Sequence, residues 1–173
     1  MIVNASFFNR LCKSRCSNYG RKYSCPPFSP SFTSVAPDLT VARVLCLRLK
    51  LEQFSPISIH MCVRAGNAVL KPLLDHELAS WQALGFRVGG SGSCRACKPC
   101  AAKTQIACRK PTKRIYSLEA MGIDVCRLVH GCFGFSLQWY SPGKTGPEFT
   151  CTVGAILGHA QDLDLHPKLL YIC

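Results

Sequence analysis

Acidic side chains are scarce: the 173 residues hold nine Asp and Glu against 21 Lys and Arg. The few carboxylates are scattered, and no HExxH, Walker motif or Ser/His/Asp order appears, so hydrolytic acid-base catalysis has no visible constellation and no catalytic residue is assigned. Long apolar runs are lacking too. No stretch approaches the roughly 20 apolar residues of a bilayer span, and MIVNASFF is cut short by NRLCKSRC before it reads as a secretory signal. The expectation is a soluble, cytoplasmic protein with no membrane span. Internal repeats are missing, and the last stretch, GHAQDLDLHPKLLYIC, carries no pattern.

Cysteine, by contrast, is abundant, with 13 residues in a chain that is 48% apolar. That apolar fraction supports one globular domain over residues 1–173. In a cytoplasmic setting so many thiols need a reason to stay reduced, and CxxC spacings with an odd cysteine count point to metal ligation over a disulfide framework. The formal charge of +12 would ordinarily indicate an anionic partner. Metal-bound cysteines are thiolates, however, and a four-thiolate iron-sulfur site carries about −2, so part of the basic excess balances buried anions.

Residues 1–30 are rich in cysteine, basic groups and turns and end in CPPFSP, which reads as a loop-borne site. Leu45, Leu47, Leu49 and Leu51 alternate with Cys46, Arg48 and Lys50, the period of a half-buried strand, and Ile57 to Val63 repeats it, so QFSP is expected to close a hairpin. Leu70, Leu74, Leu78 and Trp81 have helical spacing, with Asn67 as cap, Pro72 near the first turn and Gly85 as the stop. SLEAMG reads as a helical turn ended by Gly122, and Asp124 caps a helix, DVCRLVHG, that Gly131 would stop. FSLQWY and EFTCTVGAIL read as a second hairpin across SPGKTGP. The expected fold is α+β, with a small antiparallel sheet of two hairpins, flanking helices and cysteine-rich metal-binding loops.

The stretch SGSCRACKPCAAKTQIACRKP holds Cys94, Cys97, Cys100 and Cys108. Overlapping CxxC units bring successive sulfurs to one side of a loop, and three in a row with a later fourth resemble bacterial ferredoxin usage more than the paired CxxC of zinc sites. A [4Fe-4S] cluster is the first expectation and zinc the alternative. The preceding GGSGS lacks the GK[ST] of a phosphate-binding loop, and its glycines are expected to let backbone N–H groups approach sulfur. Cys12, Cys16 and Cys25 form a second group, one thiolate short of closure. Candidates for the missing ligand are Cys46, Cys62, His60 or an external molecule. An open position implies substrate chemistry or metal delivery; a closed one implies structure or electron transfer. Cys126, Cys132, Cys151 and Cys173 lack ligand spacing and read as small buried hydrophobes, and His76, His130, His159 and His166 as ordinary histidines.

Three pieces, CKSRCSNYGRKYSCPPFSP at residues 12–30, CRACKPC at 94–100 and CRKPTKRIYSLEAMGIDV at 108–125, together resemble the family of predicted metal-binding proteins built on domain of unknown function 2284. Its members show CxxxC, YGxxxxCPP, CxxCxxC and then CRxPxxxxxSxEAxGIDV. The resemblance is direct over 12–30 and 88–125, with Tyr116 standing where the family often has Pro and the chain beginning close to its first cysteine, which leaves room for a preceding strand. It implies metal binding through Cys12, Cys16 and Cys25 in one group and Cys94, Cys97, Cys100 and Cys108 in the other, an iron-sulfur cluster being the usual supposition.

Two functions fit. One is an iron-sulfur protein that passes single electrons to an acidic redox protein or supports a partner enzyme, drawn by the basic residues beside the cysteines. The other is a zinc-stabilised nucleic-acid-binding module, motivated by CRKPTKR after the cysteines, with a merely solvated basic face set against it.

Overall fold

The computed structural model describes residues 3–37, 41–143, 145–163 and 168–171. His166 and Cys173, and Lys144 in the expected SPGKTGP turn, lie outside the described residues. Five strands form one sheet in the order β3-β2-β4-β1-β5: β1 (Val41–Lys50), β2 (Arg87–Gly90), β3 (Tyr116–Ser117), β4 (Phe149–Gly158) and β5 (Lys168–Tyr171). β1 runs antiparallel to β4 from Val41 opposite Gly158 to Lys50 opposite Phe149, and β2 is antiparallel to β4, whereas β1–β5 and β2–β3 are parallel. The α+β class stands, but the sheet is mixed and is not built from two hairpins.

Four helices surround it: α1 (Ala5–Arg15), α2 (Phe32–Val35), α3 (Ile59–Ala83) and α4 (Val125–Phe133). None of them is long and apolar enough to cross a membrane. The sheet is covered on both faces. Leu45, Leu47, Leu49, Val88 and Ile156 pack with Leu70, Leu74 and Leu78 of α3, while Val44, Cys46, Val153, Ala155 and Leu157 pack with Leu118, Met121, Ile123, Val125 and Val129. β1 is therefore an interior strand, and the face expected to be polar is buried at Cys46, which has no exposed surface, half-buried at Arg48 and exposed at Lys50.

The expected strand at 57–63 is instead the start of α3. Its alternating Ile57 and Met61 are 48% and 46% exposed, so that alternation marks no buried face. The buried row is Cys62, Gly66, Leu70, Leu74 and Leu78, one residue every four, and its first two members are too small to register as an apolar stripe. Gly66 permits the close approach: a Cβ there would lie 2.5 Å from the Thr150 methyl of β4. Asn67 consequently sits inside the helix, its side-chain amide donating to the Val63 carbonyl at 2.9 Å rather than capping an end. Pro72 lies mid-helix, where packing of the leucine row outweighs the lost backbone donor.

Other elements shift less. Asp124 caps α4 by accepting from the Arg127 N–H at 3.0 Å, but the helix runs past Gly131 and stops at Gly134, whose φ is +73°. FSLQWY is extended without strand pairing; Gln138 instead accepts from the Glu148 N–H at 2.7 Å. SLEAMG forms the expected tight turn, Glu119–Met121, ended by Gly122 at φ +93°.

Candidate metal centre

The N-terminal cysteines are not wholly on a loop. Asn4 caps α1 through the Phe7 N–H at 3.1 Å, and the helix carries Cys12 on its last turn and ends at Cys16. Tyr19 N–H then donates to the Cys16 carbonyl and Gly20 N–H to that of Pro26, folding the chain back so that Cys25 returns toward them. The three thiols sense each other: Cys12 is raised by burial and then by the negative charges of Cys16 and Glu119. Cys25 is pushed up to about 11, chiefly by burial, with Ser24 and Lys22 opposing and Cys16 and Cys12 adding to the rise.

What seats this unit is the turn Glu119–Met121. The Asn4 N–H donates to the Gly122 carbonyl at 2.7 Å, Val3 bridges Ile123, and the Ser29 hydroxyl donates to the Ala120 carbonyl at 2.9 Å. Gly122 is required twice over. Its φ is left-handed, and a Cβ would meet the Ala5 backbone at 2.5 Å.

The second group follows β2 directly. Arg95, inside the first CxxC, clamps the loop to α3 with a two-pronged bond to Asp75, both contacts 2.6 Å, and donates to the Ser91 carbonyl at 3.1 Å. Arg109 donates to the Pro99 carbonyl at 3.2 Å, which brings the residue after Cys108 against the residue before Cys100. Burial raises the Cys100 thiol, but the backbone N–H groups of Ala102 and Tyr23 and the charges of Lys22 and Arg109 prevail, leaving it below its ordinary value. The backbone groups that favour the Cys100 thiolate are those of Ala102 and Tyr23.

The two groups are stitched together. The Cys94 N–H donates to the Ser24 hydroxyl at 2.8 Å, and that oxygen lies 3.8 Å from the Cys25 sulfur. Tyr23 O–H donates to the Ile106 carbonyl at 2.7 Å. Where the segments meet, a concavity of about 810 Å³ is lined by Arg21, Tyr23, Phe28, Lys103 and Gln105. All described cysteines are free thiols, and among the described residues no three His, Cys, Asp or Glu side chains are gathered closely enough to hold a metal ion as they stand.

The candidates for a fourth N-terminal ligand are engaged elsewhere. Cys46 is fully buried in β1, where its thiol contacts Cys151 across the sheet; that contact and burial push Cys46 up, while the same contact and Arg48 hold Cys151 down against burial. The Cys62 thiol donates to the Ile57 carbonyl at 3.4 Å, and His60 stacks on Tyr140 with ring centres 5.3 Å apart. The carboxylate that reaches Cys12 is Glu119, which the sequence reading passed over although it stands within SLEAMG. Asp75, Tyr23 and Ser24 were missed as well. Ser24 and Tyr23 had only their nearness to Cys25 as a signal, and Asp75 had none, since its partner Arg95 lies 20 residues ahead in a loop.

The family model described as predicted metal-binding protein (DUF2284) matches residues 1–157. No curated protein and no solved structure matches the chain.

Proposed function

The chain belongs to this family of predicted metal-binding proteins, and from that premise we propose that it holds two neighbouring thiolate centres and works in electron transfer or as an accessory to a redox enzyme. Cys94, Cys97, Cys100 and Cys108 are the ligands of a [4Fe-4S] cluster, and Cys12, Cys16 and Cys25 those of a second metal site. The donor set fits: four half-buried thiols, with the backbone of Ala102 and Tyr23 and the charges of Lys22 and Arg109 holding Cys100 toward its thiolate, favour a thiolate-bound anion. Holding the cluster would require the four sulfurs to come closer together than they stand.

The observation that carries this reading is the Ser24 bridge from Cys25 to Cys94, which sets the two groups side by side, as electron passage between centres requires. An acidic partner protein fits the concavity bearing Arg21 and Lys103. At the N-terminal site Cys12, Cys16 and Cys25 would hold the metal, Glu119 is the carboxylate whose charge acts on Cys12, and a fourth position would be left open for an exchangeable ligand.

Dithionite reduction of anaerobically purified protein, followed by spin-resonance spectroscopy, tests the proposal. It predicts a cluster signal that Cys97→Ser removes and Cys16→Ser alters without abolishing. A spectroscopically silent protein saturated with zinc would overturn it in favour of a structural site.

A further inference from the structure

A cavity of about 270 Å³ lies between α3, β4 and the segment before β4, and neither cysteine group lines it. Asn67 and Lys71, one turn apart on α3, line it with Glu119, Trp139, Tyr140 and Cys151. Apolar surface interrupted by a few convergent polar groups is the usual character of a small-molecule site; here the two are in similar proportion and the volume lies just below the usual range. Lys71 carries the positive charge of the lining. That charge is poorly compensated: burial and the neighbouring Arg95 lower its pKa, and the two nearby carboxylates oppose this less strongly. Both are otherwise engaged, Asp75 in the fork with Arg95 and Glu119 accepting from the Ser117 hydroxyl at 2.7 Å.

An anion beside Lys71 would relieve that imbalance. Glu119 in the same lining repels an anion in proportion to its charge, which favours a singly charged group over a phosphate. The indole of Trp139 is 65% exposed although it lines the cavity, and Tyr140 stands next to it, which offers a surface for a flat or branched apolar body. We infer that this cavity binds a small organic monocarboxylate, its carboxylate on the Lys71 ammonium and its apolar body against Trp139 and Tyr140. The inference does not depend on which metal the cysteines hold. Glu119 belongs both to this lining and to the surroundings of Cys12, so the bound molecule lies within electrostatic reach of the N-terminal centre.

The full chain, as purified, is titrated with 4-fluorophenylacetate and separately with its amide by fluorine NMR. The acid is expected to bind about tenfold or more tightly than the amide, and Lys71→Met to remove that difference. In the unsubstituted protein, saturating acid slows iodoacetamide modification of Cys151, read by peptide mass spectrometry, while Cys132, outside the cavity, reacts at an unchanged rate. Equal binding of acid and amide, no binding of the acid, or an unprotected Cys151 would each overturn the inference. The acid-amide comparison and the protection arm hold even where Lys71→Met fails to fold.

Discussion

Ser24 is 1% exposed and its hydroxyl has two neighbours, the Cys94 N–H that donates to it and the Cys25 sulfur beside it. Removing that oxygen leaves a backbone donor without its acceptor at the seam between the cysteine groups. Ser24→Ala is therefore expected to cost about 1–3 kcal/mol of stability, seen as a lowered thermal midpoint, and to raise the alkylation rate of Cys94 and Cys25 together. Independent behaviour of the two thiols in mass spectrometry would show that the seam does not join them. The thiols also differ in readiness. Cys100 lies below the ordinary thiol value, so more of it is thiolate at pH 7.5, whereas Cys25, at about 11, is protonated there and gains thiolate only as pH rises toward that value. In metal-free protein Cys100 should react with iodoacetamide about tenfold faster than Cys25, the gap narrowing at higher pH; mass spectrometry across a pH series checks the order.

At the scale of elements, the site depends on how α1 and α3 are seated. α1 buries none of its own residues fully, and its position rests on the contact at Gly122 and the hydrogen bond from Asn4. Gly122→Ala both strains a left-handed φ and drives a methyl into the Ala5 backbone, so α1 should lift from the turn. The expected outcome is loss of whatever metal the Cys12 group holds while the iron and sulfide of the Cys94 group are retained, read by elemental analysis against the unsubstituted protein. α3, by contrast, is held by three leucines with no exposed surface, and its stripe was legible wherever the buried residue was large. Where it was Cys62 or Gly66 the same row went unread, and exposed Ile57 and Met61 imitated a strand. β2 was also invisible, because RVGG buries glycines whose close neighbours, Leu118 and Ile115, lie far ahead in sequence. The candidate ligand cysteines could be singled out in the sequence because spacing within a short loop is a local property. Their juxtaposition could not, since it runs through Ser24, Tyr23 and Asp75, whose partners are 70, 83 and 20 residues away.

For the molecule as a whole, the net charge is +12, and part of it has local partners beside the cysteines. Within the run after Cys108, Arg109 bonds the Pro99 carbonyl and Arg114 lies 5.0 Å over the Tyr116 ring, so these side chains shape the cysteine loop. Arg95 does the same through Asp75. Arg109 also lowers the Cys100 thiol, while Arg21 and Lys103 line the concavity proposed for an acidic partner. The central claim is that these thiols serve iron-sulfur chemistry. Iron, zinc and acid-labile sulfide, measured per chain on anaerobically purified protein, test it most directly. About four iron and four sulfide are predicted for the Cys94 group, with any metal of the Cys12 group in addition. Stoichiometric zinc with neither iron nor sulfide would contradict it.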